Sequence, residues 1–218
     1  ELTNDYVIVN TNEMEFDYPK GDSNEMTKYE GAGGIELNLF NRSLFATRER
    51  ELKILISGGI NSDSKILINR NIKTRVQKVA PFIRFDEDPY AVIADGRIHY
   101  IIDGYTATNF YPYSEPFSDK SNTNYIRNSV KAVVDSYDGT IDFYISDETD
   151  PIIETYSKIF PDLFKEMSEM PEFVRSHIRY PQFLFDIQAQ MYATYHMNNP
   201  DVFYNREDKW DIPVETYQ

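Results

Sequence analysis

The chain has no cysteine, only three histidines and no long apolar run in its 218 residues. Without cysteine there is no disulfide framework and no thiol chemistry; the count leaves the redox compartment open, because exported bacterial domains often lack cysteine too. No uncharged apolar run approaches the roughly 18 residues that a membrane-spanning helix needs, so the chain reads as soluble. The opening Glu1-Leu2-Thr3 has neither an initiator methionine nor signal-peptide character, which suggests a piece cut from something longer. Positive charge is scarce as well: 22 Lys and Arg stand against 36 Asp and Glu, a formal net charge of −14. Phosphate contacts need a clustered basic surface, so nucleic acid is the first partner excluded.

What is present is enough apolar material for a real core, with 41% hydrophobic and 15% aromatic residues. Two stretches alternate with period two around Asp-Gly, the strongest short-range hairpin signal, because a type I′ turn needs positive φ at both central residues. Tyr90 to Ala94 and Arg97 to Asp103 flank Asp95-Gly96, with Ala91, Ile93, Ile98, Tyr100 and Ile102 on one face. Asn124 to Asp147 folds back at Asp138-Gly139. A two-residue loop there sets Ser136 opposite Ile141, Val134 opposite Phe143, Ala132 opposite Ile145, and Asp135 directly across from Asp142.

Helical patterns lie on either side. Leu39 to Ile56 carries an imperfect apolar stripe. A second helix begins near Asn61 or Ser62, buries Ile68, Ile72, Val76 and Val79, and ends at Pro81. Asp150-Pro151 opens another, ending at Phe160, and Met170-Pro171 and Tyr180-Pro181 open two more. The last of these runs to about His196 on Phe183, Leu184, Ile187, Met191 and Tyr195. The expected fold class is α+β: an antiparallel sheet of about four strands built from two Asp-Gly hairpins, flanked by N-terminal and C-terminal helices and possible to extend by a strand at Tyr6. Residues 1–218 then form a single domain, with an extension over 1–37, a basic helix pair over 38–80, the sheet over 82–147, helices over 150–197 and a tail over 198–218.

Candidate site residues fall in three groups. Between Asn38 and Ala80 nine basic residues (Arg42, Arg48, Arg50, Lys53, Lys65, Arg70, Lys73, Arg75, Lys78) face three acidic ones, a local balance of +6 that leaves −20 elsewhere. Such helices either dock on the acidic half of the same molecule or face anionic lipid headgroups. Thr106 to Thr123 is a long unpatterned loop bearing Phe110, Tyr111, Tyr113 and Phe117. Rings held exposed by Pro112 and Pro116 would stack on a glycan or anchor a protein partner; folded back, they would cover the sheet edge. The third group is Asp135 with Asp142, since like charges placed opposite call for a proton, a cation or a basic neighbour such as Lys131, Arg97 or His99. Paired carboxylates serve acid/base catalysis or bind a hard cation such as calcium; near a sheet end they also simply point into water. Asp86-Glu87-Asp88 and Asp147-Glu148-Thr149-Asp150 lack EF-hand spacing. His99, His177 and His196 show no metal-ligand spacing, no nucleophile with an adjacent base is legible, and no cofactor is expected. Tyr29 to Gly34 is glycine-rich without the residues of a phosphate loop and reads as a turn.

NRSLFATR (Asn41 to Arg48), SKILINRNIKTRVQKVAPF (Ser64 to Phe82), DPYAVIADGRIHYIIDGYTAT (Asp88 to Thr108), NYIRNSVKAVVDSYDGTIDFY (Asn124 to Tyr144) and the long run from Ser168 to Pro213 resemble the uncharacterised protein family 0182, large bacterial multi-pass membrane proteins. The resemblance covers nearly the whole chain. It implies several N-terminal transmembrane helices followed by a large non-membrane region, of which this is a segment outside the cytoplasm, in a protein of the cell membrane. It implies no activity and carries over no catalytic positions. The function expected is that of a non-enzymatic extracytoplasmic domain, binding an envelope protein or glycan, or packing on its own membrane region or an anionic membrane surface. The alternative is an envelope hydrolase using Asp135 and Asp142.

Overall fold

The computed structural model describes residues 6–118 and 121–213. The described residues form a mixed α+β structure with three β-sheets and seven α-helices. In chain order, β1 (Tyr6–Val9) leads to a hairpin of β2 (Glu15–Lys20) and β3 (Ser23–Thr27), then to β4 (Ile35–Glu36), α1 (Leu39–Arg48), α2 (Lys53–Ile56), β5 (Lys65–Ile68) and α3 (Ile72–Val79). The large sheet uses β6 (Arg84–Phe85), β7 (Tyr90–Ala94), β8 (Arg97–Thr108), β9 (Tyr125–Asp135) and β10 (Ile141–Ile145). After α4 (Pro151–Ile159) comes β11 (Phe164–Glu166), followed by α5 (Glu172–Arg175), α6 (Gln182–Tyr195) and α7 (Pro200–Asn205).

The N-terminal part departs from the sequence pattern. The expected helix from Leu39 to Ile56 is two helices, because Arg50 takes a left-handed φ of +55° between them. The expected second helix starts only at Ile72, where Asn71 caps it by accepting from the Thr74 amide. The residues ahead of it form β5, which sits between β1 and β4 in a small antiparallel sheet. The strand at Tyr6 therefore joins this sheet and does not extend the large one. Leu37, Phe45, Ala46, Ile54, Ile60 and Ile66 form the core between the small sheet and the two helices.

The large sheet has six strands where about four were expected, in the order β11-β10-β9-β8-β6, with β7 also paired to β8. All pairs are antiparallel except β10 with β11. Along its outer edge β8 is met by two short strands in succession, β6 opposite Gly104 and Tyr105 and β7 opposite Arg97 to Ile101. Both central residues of the β7–β8 turn have positive φ, +50° at Asp95 and +72° at Gly96, as a type I′ turn requires.

The β9–β10 turn is wider. The Asp135 carboxylate accepts from the amides of Tyr137 (2.7 Å) and Asp138 (2.9 Å), and the Gly139 amide donates to the Asp135 carbonyl at 2.9 Å. Those bonds draw Asp135 into the turn, so Val134 pairs with Ile141, Ala132 with Phe143 and Val130 with Ile145. The register is shifted by two residues from the expected one. A shift of two keeps every side chain on its face, whereas a shift of one would invert the strand.

Ile102, Val130, Ala132, Val134 and Phe143 pack on one face against Val76 of α3, Ile83, Phe85 and Ile153 of α4. The other face carries Val92, Ala94, Ile101, Val133 and Tyr144 under Met170 and Val174. In α6 the stripe is only partly buried: Ile187 is enclosed and Phe183 and Leu184 are half-buried, while Met191 and Tyr195 are exposed. The expected tail over 198–218 contains α7, and it folds back so that Trp210 stacks on His196 at 3.8 Å.

Candidate functional site

The nine basic residues of the 38–80 region divide by what they touch. Arg42 donates to the carbonyls of Leu37 (3.0 Å) and Ile60 (2.6 Å), tying α1 to the segment between α2 and β5. Arg75 donates to the carbonyls of Gly139 (2.7 Å) and Ile68 (3.2 Å), clamping the small sheet to the β9–β10 turn. Lys65 donates to the Gly31 carbonyl, Lys78 to the Asn69 side chain, and Lys73 pairs with Glu87. Arg48 pairs with neighbouring Glu49 and lies over the Phe45 ring. Arg50, Lys53 and Arg70 are exposed and make no side-chain hydrogen bond or ion pair among the described residues. Of the nine, only Lys73 meets, among the described residues, an acidic residue far away in sequence.

The cations on α1 and α2 have apolar company. Leu39, Phe40 and Leu44 of α1, and Leu52, Leu55 and Ile56 at and within α2, are all exposed; Leu39, Phe40, Leu52 and Ile56 are 70% or more accessible. The helices bury Phe45, Ala46 and Ile54 on the small sheet, and the same stretch exposes large apolar side chains together with Arg50 and Lys53. The basic count was visible in the sequence; the exposed apolar residues were read there as part of the imperfect apolar stripe of a single helix.

The aromatic loop is ordered by Asn124. Its side chain accepts from the Tyr111 amide (3.1 Å) and donates to the carbonyls of Tyr111 (2.8 Å) and Ser114 (3.1 Å), while its own carbonyl accepts from the Ser114 hydroxyl at 2.8 Å. Held this way, Phe110 is 85% exposed and Tyr113, at φ +57°, stands fully clear of the surface. Tyr111 is exposed on one side and stacks on Tyr125 at 5.3 Å on the other. Phe117 turns inward, edge-on to Phe183 of α6 at 6.0 Å. Three of the four candidate rings thus stand outward, and one packs down.

Asp135 and Asp142 do not face each other. In the shifted register Asp142 lies opposite Val133 and pairs with Lys165 at 2.6 Å, whereas Asp135 pairs with Arg97 at 3.1 Å. Burial alone would raise the Asp135 carboxyl; the Asp138 and Tyr137 amides and the Arg97 guanidinium outweigh it and hold the group below its ordinary value. It is a turn-forming acceptor, and the geometric premise of a two-carboxylate site is gone. Of the acidic loops, Asp147 binds Arg127 and Thr149, and Asp86 accepts from the Tyr105 hydroxyl at 2.8 Å. Asp150 is fully buried as the α4 N-cap. Its carboxylate takes hydrogen bonds from Thr106, Ser129 (2.6 Å), Tyr125 (2.8 Å) and the Ile152 amide (3.1 Å). The sequence showed the cap but not the three hydroxyls around it, which come from two distant strands. His99 packs on the Phe173 ring, His177 bonds to the Phe173 carbonyl and His196 stacks on Trp210; among the described residues no group of three or more His, Asp or Glu is arranged to hold a metal ion. No helix among them is long and apolar enough to cross a membrane.

The profile of the Uncharacterised protein family (UPF0182) matches residues 1–218. A UPF0182 protein of Alkaliphilus metalliredigens is 58% identical over 217 residues, which is 100% of this chain and 23% of that protein. One of Pelotomaculum thermopropionicum is 52% identical over 218 residues, 100% of this chain and 24% of that protein. A third, from Clostridium botulinum, is 54% identical over 212 residues, 97% of this chain and 23% of that protein. The chain therefore spans about a quarter of the length of the curated relatives it matches. No solved structure matches it.

Proposed function

The chain belongs to the Uncharacterised protein family (UPF0182), and since that name carries no activity we propose a function from its own surface: a non-enzymatic, extracytoplasmic docking domain of a larger membrane protein. In this reading the outward faces of α1 and α2 rest on anionic lipid, and the loop bearing Phe110, Tyr111 and Tyr113 engages an envelope protein or glycan. The observation that carries it is the occurrence of six exposed large apolar side chains on α1, α2 and the turn between them in the same stretch as Arg48, which is paired with Glu49, and the exposed Arg50 and Lys53. Apolar side chains alone would suit any hydrophobic partner. Cations beside them, in a chain of net charge −14, favour a surface that is both apolar and anionic. Each basic side chain near such a surface contributes about 1 kcal/mol, and the apolar residues add burial in the headgroup region.

The test is sedimentation of the chain with phosphatidylglycerol vesicles and with phosphatidylcholine vesicles, at low and at high salt. Binding to the anionic vesicles alone, weakened by salt and lost in Arg50→Glu/Lys53→Glu and in Leu52→Ser/Ile56→Ser, is the expected result. Absence of binding, or equal binding to both vesicle types, would overturn the lipid half of the reading.

A further inference from the structure

Between β9 and the α5–α6 connection lies an open cleft of about 590 Å³, lined by no residue of α1 or α2. Its lining is divided by chemistry. Arg127 and Lys131 of β9 and Arg179 of the α5–α6 connection supply the charge, and Ile126, Met167 and Leu184 supply apolar wall. Asp147 is the one carboxylate among the lining residues.

The three cations are not equivalent. Arg127 is bound to Asp147 at 3.1 Å and to the Thr149 hydroxyl at 2.9 Å. Lys131 is 4% exposed and paired with Asp103, itself 6% exposed. A buried ion pair is usually no more stable than apolar residues of the same shape, so packing alone gives no reason for one beside a polar cleft. Arg179 is exposed, with its guanidinium over the Tyr90 ring at 4.7 Å and its amide donating to the Tyr90 hydroxyl at 3.3 Å. Among the described residues it has no carboxylate within ion-pair distance. Among the described residues the lining thus holds one cation that is positioned but not neutralised, in the same cleft as Ile126, Met167 and Leu184.

We propose that this cleft binds a small organic anion with an apolar body, its acidic group at Arg179 and its body against Ile126, Met167 and Leu184. A doubly charged phosphate ester is a poorer fit, since two of the three cations already have carboxylate partners. A neutral hydrophobe would leave Arg179 unmatched.

Isothermal titration of the chain with decanoate tests the proposal, with acetate and decanol as probes lacking the apolar body and the charge. Saturable one-to-one decanoate binding is expected, with acetate and decanol each weaker by about tenfold or more. Arg179→Gln, an exposed change that spares the core, should weaken decanoate by a similar factor, and Leu184→Trp should block it. Arg50→Glu, at a residue outside the cleft lining, should leave it unchanged, which separates this site from lipid docking. Absence of saturable decanoate binding overturns the proposal, as does acetate binding of equal strength. Decanoate affinity unaltered in Arg179→Gln overturns it too, even where Leu184→Trp fails to fold.

Discussion

Replacing Asp150 by alanine removes an acceptor that serves four donors, and the cost can be worked from the geometry. The α4 N-cap bond to the Ile152 amide is worth about 1 kcal/mol. Thr106 and Ser129 are 1% and 0% exposed and would lose their carboxylate, but their hydroxyls lie 3.2 Å apart. One can donate to the other, so only one is orphaned, at about 1–3 kcal/mol. Tyr125 is half-buried and can turn toward water. The sum is about 3 kcal/mol, which at a urea m-value near 3 kcal/mol/M lowers the unfolding midpoint by about 1 M. The pH dependence gives an independent check. Burial by itself raises the Asp150 carboxyl, and the hydrogen bonds from Ser129, Thr106, Tyr125 and the Ile152 amide outweigh it, holding the group below its ordinary 3.8. A folded carboxyl below its unfolded value binds protons less well than the unfolded chain does. Its stabilisation is therefore complete above roughly pH 5 and is lost as pH falls through the unfolded value toward the folded one. Wild type should lose more stability than Asp150→Ala between neutral pH and about pH 3. The Tyr125 hydroxyl, pushed up to about 12 by burial and then by Asp150, should titrate lower in the variant by ultraviolet absorbance. A midpoint shift under about 0.3 M, with parallel acid limbs, would refute the reasoning.

Two further outcomes are expected. Asn124→Ala should speed limited proteolysis within residues 109–117 while moving the global urea midpoint little, because its bonds order a surface loop and not the core; unchanged cleavage would show the loop is held otherwise. Lys131→Met strands the buried Asp103 carboxylate and should cost about 3–5 kcal/mol, whereas Lys131→Met/Asp103→Leu should recover most of it; equal midpoints for the single and double variants would contradict that.

The hairpin at Asp95-Gly96 was legible because its turn chemistry is local: two residues that tolerate positive φ, with strands alternating on either side. At Asp138-Gly139 the same dipeptide gave the right faces and the wrong register, since the Asp135 side chain captures two amides, an effect that does not show in hydrophobic alternation. The clearest limit is the tetrapeptide Lys-Ile-Leu-Ile, which occurs twice. At Lys53–Ile56 it is α2, and at Lys65–Ile68 it is the middle strand of the small sheet. Identical residues carry identical propensities, so the difference lies in pairing with β1 and β4, partners that come from other parts of the chain. For the candidate site, the charge of the 38–80 region was plain in the composition. Its division into internal clamps and free cations depends on which carbonyls come near Arg42 and Arg75, and no periodicity encodes that.

The six-stranded sheet keeps its two long strands, β8 and β9, beside each other and exposes only short ones at its margins. β11 has three residues, β6 two and β7 five. An incoming chain that tried to add a strand to this sheet would find no more than five consecutive residues of free backbone, and β6 and β7 break the margin of β8 into two pieces. Edges this short are poor templates for polymerisation. Edge-to-edge joining of these sheets from copy to copy is therefore disfavoured by the lengths of the strands at the margins.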